Sequence, residues 1–125
     1  MKPHPHESAE AHVTGKALYV DDIALPSDCL YVVAGVSEHP KAQLLSVDLQ
    51  GVWRSPGVVD VLTAVDIPGE NEVGAVLPGD TLLADKHVEY VAQPIFAVAA
   101  TSLKAAQRAV HKAQIQYDIE SPTLS

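Results

Sequence analysis

Cysteine, methionine, aromatic side chains and positive charge are all scarce in this sequence, and each scarcity excludes something. The single cysteine among 125 residues, Cys29, cannot form an intramolecular disulfide, which suits a reducing compartment. Aromatic residues make up only 5% of the chain, so a core has to be built from Val, Ala, Leu and Ile, which favours strands and a small-residue helix. Eight Lys and Arg stand against sixteen Asp and Glu, for a net charge of −8. That balance excludes the clustered basic surface that nucleic acid or an anionic membrane requires. No apolar run approaches the ~18 residues of a membrane-spanning helix, and the polar N-terminus lacks the apolar stretch of a secretory signal. A cytoplasmic location is expected. Neither G-x-G-x-x-G nor G-x-x-x-x-G-K-[ST] occurs, so no phosphate cradle is indicated. The one methionine, Met1, rules out the Met-Lys-Met hairpin of biotinyl and lipoyl carriers.

What remains is ordinary globular composition, 47% hydrophobic and 19% charged, in a length that fits one domain. Residues 1–14 are polar, carry Pro3 and Pro5, and are expected to be a partly flexible lead-in, with a single domain over 15–125. Ala17–Val20 is a short strand candidate, ended by Asp21-Asp22. Leu30–Ser37 is near-continuously apolar and reads as a strand covered on both faces, with Gly35 marking a bulge or a close backbone approach. Ala42–Leu49 alternates, pointing Leu45, Val47 and Leu49 one way. Asp48 is positioned to cap a short helix over Leu49–Trp53. Pro56-Gly57 is a turn, Val58–Thr63 a mostly buried strand, and Ala64–Ile67 a helical turn.

Glu70–Asp80 reads as loop. Leu82–Ala84 and Val88–Val91 are short strand candidates. Ile95–Ala100 is a buried strand entered through Gln93-Pro94. Ser102–Ala113 is the one long helix, with Ser102 as N-cap and an inward stripe of Leu103, Ala106, Val110 and Ala113. Ile115–Ile119 closes the chain as a strand. Strand, helix and strand over 95–119 form a β-α-β unit, right-handed if its strands are parallel in one sheet.

No constellation of reactive residues emerges. His4, His6 and His12 cluster near the N-terminus, but their spacing matches no structural zinc pattern. Asp21-Asp22, Glu70 and Glu72 are hard-cation ligand types without an EF-hand spacing, and read as solvated turn acids. Cys29 lies beside Asp28, whose charge raises a thiol pKa, and is expected to be a packed cysteine rather than a nucleophile. His39, His87 and His111 have no partner nucleophile. No catalytic, cofactor-binding or metal-ligating residue is assigned.

The order of short strings along the chain carries a resemblance. Pro5-His6-Glu7-Ser8-Ala9, then His12 to Ile23 (HVTGKALYVDDI), Ser46-Val47-Asp48, Pro56 to Ala64 (PGVVDVLTA), Asp66 to Asn71 (DIPGEN), Leu83-Ala84-Asp85, Glu89-Tyr90-Val91 and Gln93-Pro94 resemble the N-terminal region of the molybdenum-binding subunit in the aldehyde oxidase/xanthine dehydrogenase family, with the xanthine dehydrogenase branch favoured. The resemblance spans about residues 5–124. It implies an α+β fold, the α/β hammerhead: a mixed β-sheet, one long helix at about 102–113 and short helical turns. It further implies a non-catalytic scaffold whose full-length protein hydroxylates a purine with oxygen from water. That protein would use molybdopterin-molybdenum, with iron–sulfur and FAD centres in the complex. The implied partners are the downstream molybdenum-cofactor-binding domain of the same subunit and the iron–sulfur/FAD subunit; no nucleic acid or membrane is implied. The family's cofactor loops and catalytic glutamate belong to the downstream region, so none is transferred here. Gln93 is the one candidate for an interdomain contact. Ala92 stands where a Gly commonly precedes Gln-Pro, which implies an ordinary negative φ at that position. An independent binding module with this fold, or a relative oxidising aldehydes, carbon monoxide or N-heterocycles, are the alternatives.

Overall fold

The computed structural model describes residues 6–74 and 79–121. Six strands and three α-helices follow in the order α1 (Ala9–Val13), β1 (Tyr31–Val36), β2 (Ala42–Asp48), α2 (Gln50–Trp53), β3 (Val58–Thr63), β4 (His87–Val88), β5 (Pro94–Ala100), α3 (Leu103–Val110) and β6 (Gln114–Ile119). Short 3-10 turns lie at Val20–Asp22 and Ala64–Asp66. The fold class is α+β, as expected. The strands divide into two three-stranded sheets, ordered β1-β5-β3 and β4-β2-β6. Every pairing between them is antiparallel, where one mixed sheet was expected. Because β5 and β6 lie in different sheets, the handedness rule for a β-α-β unit does not apply to them.

β5 forms the middle of the first sheet. Its residues Phe96, Val98 and Ala100 are buried on one face. Gly35, Val33 and Tyr31 of β1 lie opposite them on one side, and Thr63, Val61 and Val58 of β3 on the other. Helix α3 packs on β1, β5 and β3, burying Ala106 and Ala109. Ala109 takes the inward place expected of Leu103, which is exposed; two alanines let the helix lie close to the sheet. Ser102 caps α3, its Oγ accepting the Ala105 N–H at 3.2 Å. The core then extends through Val52 of α2 to Ala42 and Val88 of the second sheet.

Two sequence expectations about burial fail on the first sheet. β1 and β3 are its edges, and α3 covers only one face. Val32, Val59 and Leu62 are therefore exposed, although both segments read as covered strands. In β2 a register shift at Leu45 separates the pairs Leu44–Tyr117 and Ser46–Gln116. The extra residue reverses the alternation, so Leu44 packs inward and Leu45 faces solvent. Ala17–Val20 and Leu82–Ala84 form no strand, and Val88–Val91 keeps only its first residue in one. The backbone near Leu83 bonds instead to the Asn71 side chain: Asn71 Nδ2 donates to the Leu83 carbonyl at 2.6 Å and Leu83 N–H to Asn71 Oδ1 at 3.0 Å.

Gly35 fulfils both readings made of it. The β1–β5 register shifts between Gly35 and Val36, and the Phe96 ring lies over the glycine where a Cβ would stand. Phe96 is fully buried and cannot swing away. Gly35→Ala is expected to cost about 1–3 kcal/mol by overpacking, measured by urea unfolding. The cost should shrink in a Phe96→Leu background, because the two sites share one volume. Equal cost in both backgrounds would show that the ring is not what excludes the methyl group.

Candidate functional site

The one residue singled out by sequence, Gln93, sits at the centre of a polar knot where β1 ends and β5 begins. Its side chain is 4% exposed. Oε1 accepts the Glu89 N–H at 2.6 Å, and Nε2 donates to Thr81 Oγ1 at 3.4 Å. Backbone bonds carry the β1–β5 ladder past the strand ends: Ser37 N–H donates to the Gln93 carbonyl at 2.9 Å and Ala92 N–H to the Ser37 carbonyl at 2.8 Å. Pro94, which lacks a donor, follows at the strand entrance. Ser37, also buried, links the knot onward through its Oγ, which donates to the His39 carbonyl at 3.0 Å. His39 in turn meets Tyr117 edge-on, with ring centroids 4.7 Å apart. Burial pushes the Tyr117 hydroxyl up from its ordinary value.

The turn feeding this knot requires a left-handed residue. Ala92 has φ 70°, the one positive φ at a non-glycine residue among those described. Ala92 therefore does not mark an ordinary backbone, as the resemblance implied; the turn is left-handed there and bears the strain of a Cβ. Satisfying the Ser37 and Gln93 backbone groups together holds it there.

The other candidates are not brought together. His6 Nδ1 lies 2.9 Å from Ser8 Oγ and His12 Nδ1 3.2 Å from the Tyr19 hydroxyl. His4 lies outside the described residues. Asp22 closes the 3-10 turn by accepting the Tyr19 N–H at 3.0 Å, and Asp66 does the same for Thr63 N–H at 2.8 Å and Oγ1 at 2.7 Å. Glu72, read from sequence as a solvated acid, accepts the N–H groups of Gly74 at 3.0 Å and Gly79 at 2.8 Å. These bonds hold Asp66 and Glu72 below the ordinary carboxylate range. Cys29 is exposed rather than packed, because it ends the Pro26–Cys29 turn outside both sheets. Among the described residues no three of His, Cys, Asp and Glu are grouped to hold a metal ion. A groove of about 480 Å³ between β1, α3 and β6 is lined by Val33, Val36, Val110, Ile115 and Tyr117, with Glu38, Gln107 and His111 at hand. It holds no nucleophile paired with a base.

Sequence reasoning missed the roles of Asn71 and Glu72. Both are side chains that stand in for backbone partners, and their short polar character in a glycine-bearing loop was the available signal. It also missed the open outer face of the first sheet, where Val32, Ala34 and Leu62 are exposed beside Ala97 and Ala99.

Residues 14–121 match the family described as aldehyde oxidase and xanthine dehydrogenase, a/b hammerhead domain, and the chain belongs to that family. It is 36% identical over 123 residues to aldehyde oxidase 3 of Rattus norvegicus, covering 98% of this chain and 9% of that protein. It is 36% identical over 113 residues to xanthine dehydrogenase 1 of Arabidopsis thaliana, covering 90% of this chain and 8% of that one. The structure of the aldehyde oxidoreductase from Desulfovibrio desulfuricans shares the fold, with a TM-score of 0.86 and 24% identity over 97% of this chain and 15% of its own. The chain thus spans less than a tenth of the length of these curated relatives.

Two outcomes test the knot. Gln93→Ala strands the Glu89 N–H and is expected to cost about 1–3 kcal/mol in urea unfolding. Ala92→Gly removes the left-handed strain, about 1–2 kcal/mol, against an entropic loss of about 0.5–1 kcal/mol, so a small net gain is expected. A loss on Ala92→Gly would show that the turn carries no strain. A pH outcome follows from Asp66 and Glu72. A carboxylate lowered in the folded state contributes stability that is fully present above its ordinary value and lost as pH falls through the lowered one. The urea midpoint should therefore drop steadily below pH ~4, and Asp66→Asn should flatten that slope.

Proposed function

We propose that this chain is the non-catalytic scaffold domain of a molybdenum hydroxylase large subunit, with 1–14 leading into a hammerhead domain over 15–125. The observation that carries this reading is the family match over residues 14–121 in a chain spanning less than a tenth of its relatives. The full-length protein would hydroxylate a purine of the xanthine type with oxygen from water and pass the electrons on. Molybdopterin-molybdenum would supply the oxygen-transfer chemistry, with iron–sulfur and FAD centres completing the complex. The chain matches less than a tenth of the length of its relatives, and the groups that would hold that cofactor are assigned to the rest of the polypeptide. The partners are the downstream cofactor-binding domain and the iron–sulfur/FAD subunit, in the cytoplasm. Gln93 takes part from inside the domain: its own amide is used locally, and it sets the shape of the 89–93 turn that faces a neighbour.

A second reading is favoured by the aldehyde oxidases among the relatives, rat aldehyde oxidase 3 included. In it the substrate is an aldehyde and the domain's role is unchanged. The test is an assay of the full-length protein from its own cells for molybdenum and for dye reduction with xanthine and with aldehydes. Molybdenum with xanthine-dependent reduction is the expected result; reduction by aldehydes alone moves the substrate to the second reading. The isolated 125-residue chain should fold without molybdenum and reduce no dye. Stoichiometric molybdenum in it would overturn the scaffold role.

A further inference from the structure

The segment ahead of β1 is locally shaped and, among the described residues, makes no hydrogen bond to the two sheets. None of residues 6–30 is buried. Among the described residues their hydrogen bonds stay within the segment: Lys16 and Ala17 N–H on the Ala11 carbonyl at 2.8 and 3.0 Å, Tyr19 N–H on Asp22, Cys29 N–H on the Pro26 carbonyl at 3.2 Å. Gly15 turns the chain with φ 70° between α1 and the 3-10 turn. Within eight residues Leu18 is 79%, Tyr19 61%, Val20 83%, Ile23 59% and Leu25 67% exposed. Single exposed apolar residues need no explanation, but a contiguous group marks a surface that something covers.

We infer that residues 13–30 are a docking arm whose Leu18, Tyr19, Val20, Ile23 and Leu25 seat in an apolar groove, edged by Lys or Arg, on a further domain of the same polypeptide. This rests on the family reading above, and supplies the surface by which the scaffold is held. Length and charge choose the occupant. Relatives matched over nearly this whole chain have more than nine-tenths of their length left to form the groove. The arm interleaves Asp21, Asp22 and Asp28 with its apolar residues and carries one basic group, Lys16. A second copy, at net charge −8, would bring acid against acid, whereas a basic rim complements it. The closed 3-10 turn presents the side chains in a ready shape, which lowers the ordering cost of docking.

Cys29, the chain's one cysteine, reports on the arm directly. Its alkylation by iodoacetamide, read by peptide mass spectrometry, is compared between the 125-residue chain and the full-length polypeptide. Protection of about tenfold or more in the longer protein is expected. The double variant Ile23→Asp, Leu25→Asp should leave the melting temperature of the isolated chain unchanged, because the arm buries nothing there, and should restore fast alkylation in the full-length protein. Fast alkylation in an unmodified full-length protein that contains molybdenum would overturn the arm while leaving the family reading intact. Protection that appears in the isolated chain as its concentration rises would overturn the choice of occupant in favour of a second copy. A full-length protein without molybdenum would overturn the proposed molybdenum-hydroxylase function on which the arm's partner depends.

Discussion

Strand β5 has neighbours on both edges, and only one helix is available to cover it. That constraint organises the molecule. Antiparallel β1 and β3 satisfy its backbone on both sides. Helix α3, with its inward alanines, closes one face and carries the core toward the second sheet. An eight-residue helix cannot also close the other face. The apolar side chains Val32, Val59 and Leu62 of β1 and β3 are left exposed. The first sheet is thus closed by α3 on one face and open at those side chains on the other.

The open side and the polar knot make sense together. At the end of β1, where side-chain packing gives out, order passes to hydrogen bonds: Ser37, Ala92 and Gln93 extend the ladder, and Gln93 pins the turn that joins β4 to β5. Similar devices recur wherever the backbone leaves the sheets. Asn71, Glu72, Asp22 and Asp66 each use a side-chain oxygen as the missing carbonyl of a ladder. Of the acids weighed as cation ligands, Asp22 and Glu72 are thereby spent on the fold. A domain held in shape at its edges by such bonds keeps its surface defined without burying it.

Much of the local structure was legible in the residues. Val58–Thr63 was bounded correctly because β-branched residues stand between a Pro-Gly turn and a helical turn. β5 and the Ser102 cap of α3 were legible for similar local reasons. Burial was not. A continuous apolar run such as Leu30–Ser37 says that cover is needed on both faces, not that the same chain provides it. The bulge at Leu45 was hidden because one inserted residue reverses every later position while leaving the composition unchanged. Ala92 misled for the opposite reason: a residue type that disfavours positive φ was held there by bonds to residues far along the chain. Gln93 stood out in the resemblance, but its bonds to Glu89 and Thr81 depend on a turn that sequence does not draw.

By itself the sequence determined where β1, β2, β3, β5, β6 and α3 lie and which family they belong to, because propensity, capping and turn chemistry act over a few residues. Only the tertiary structure decided which face of each strand is covered, that the strands part into two antiparallel sheets, and that none of residues 6–30 is buried. Those outcomes depend on register, on the shifts of register in β1, β2 and β3 and on how far one short helix can reach, all of which are set by contacts between distant residues rather than by neighbours in the chain.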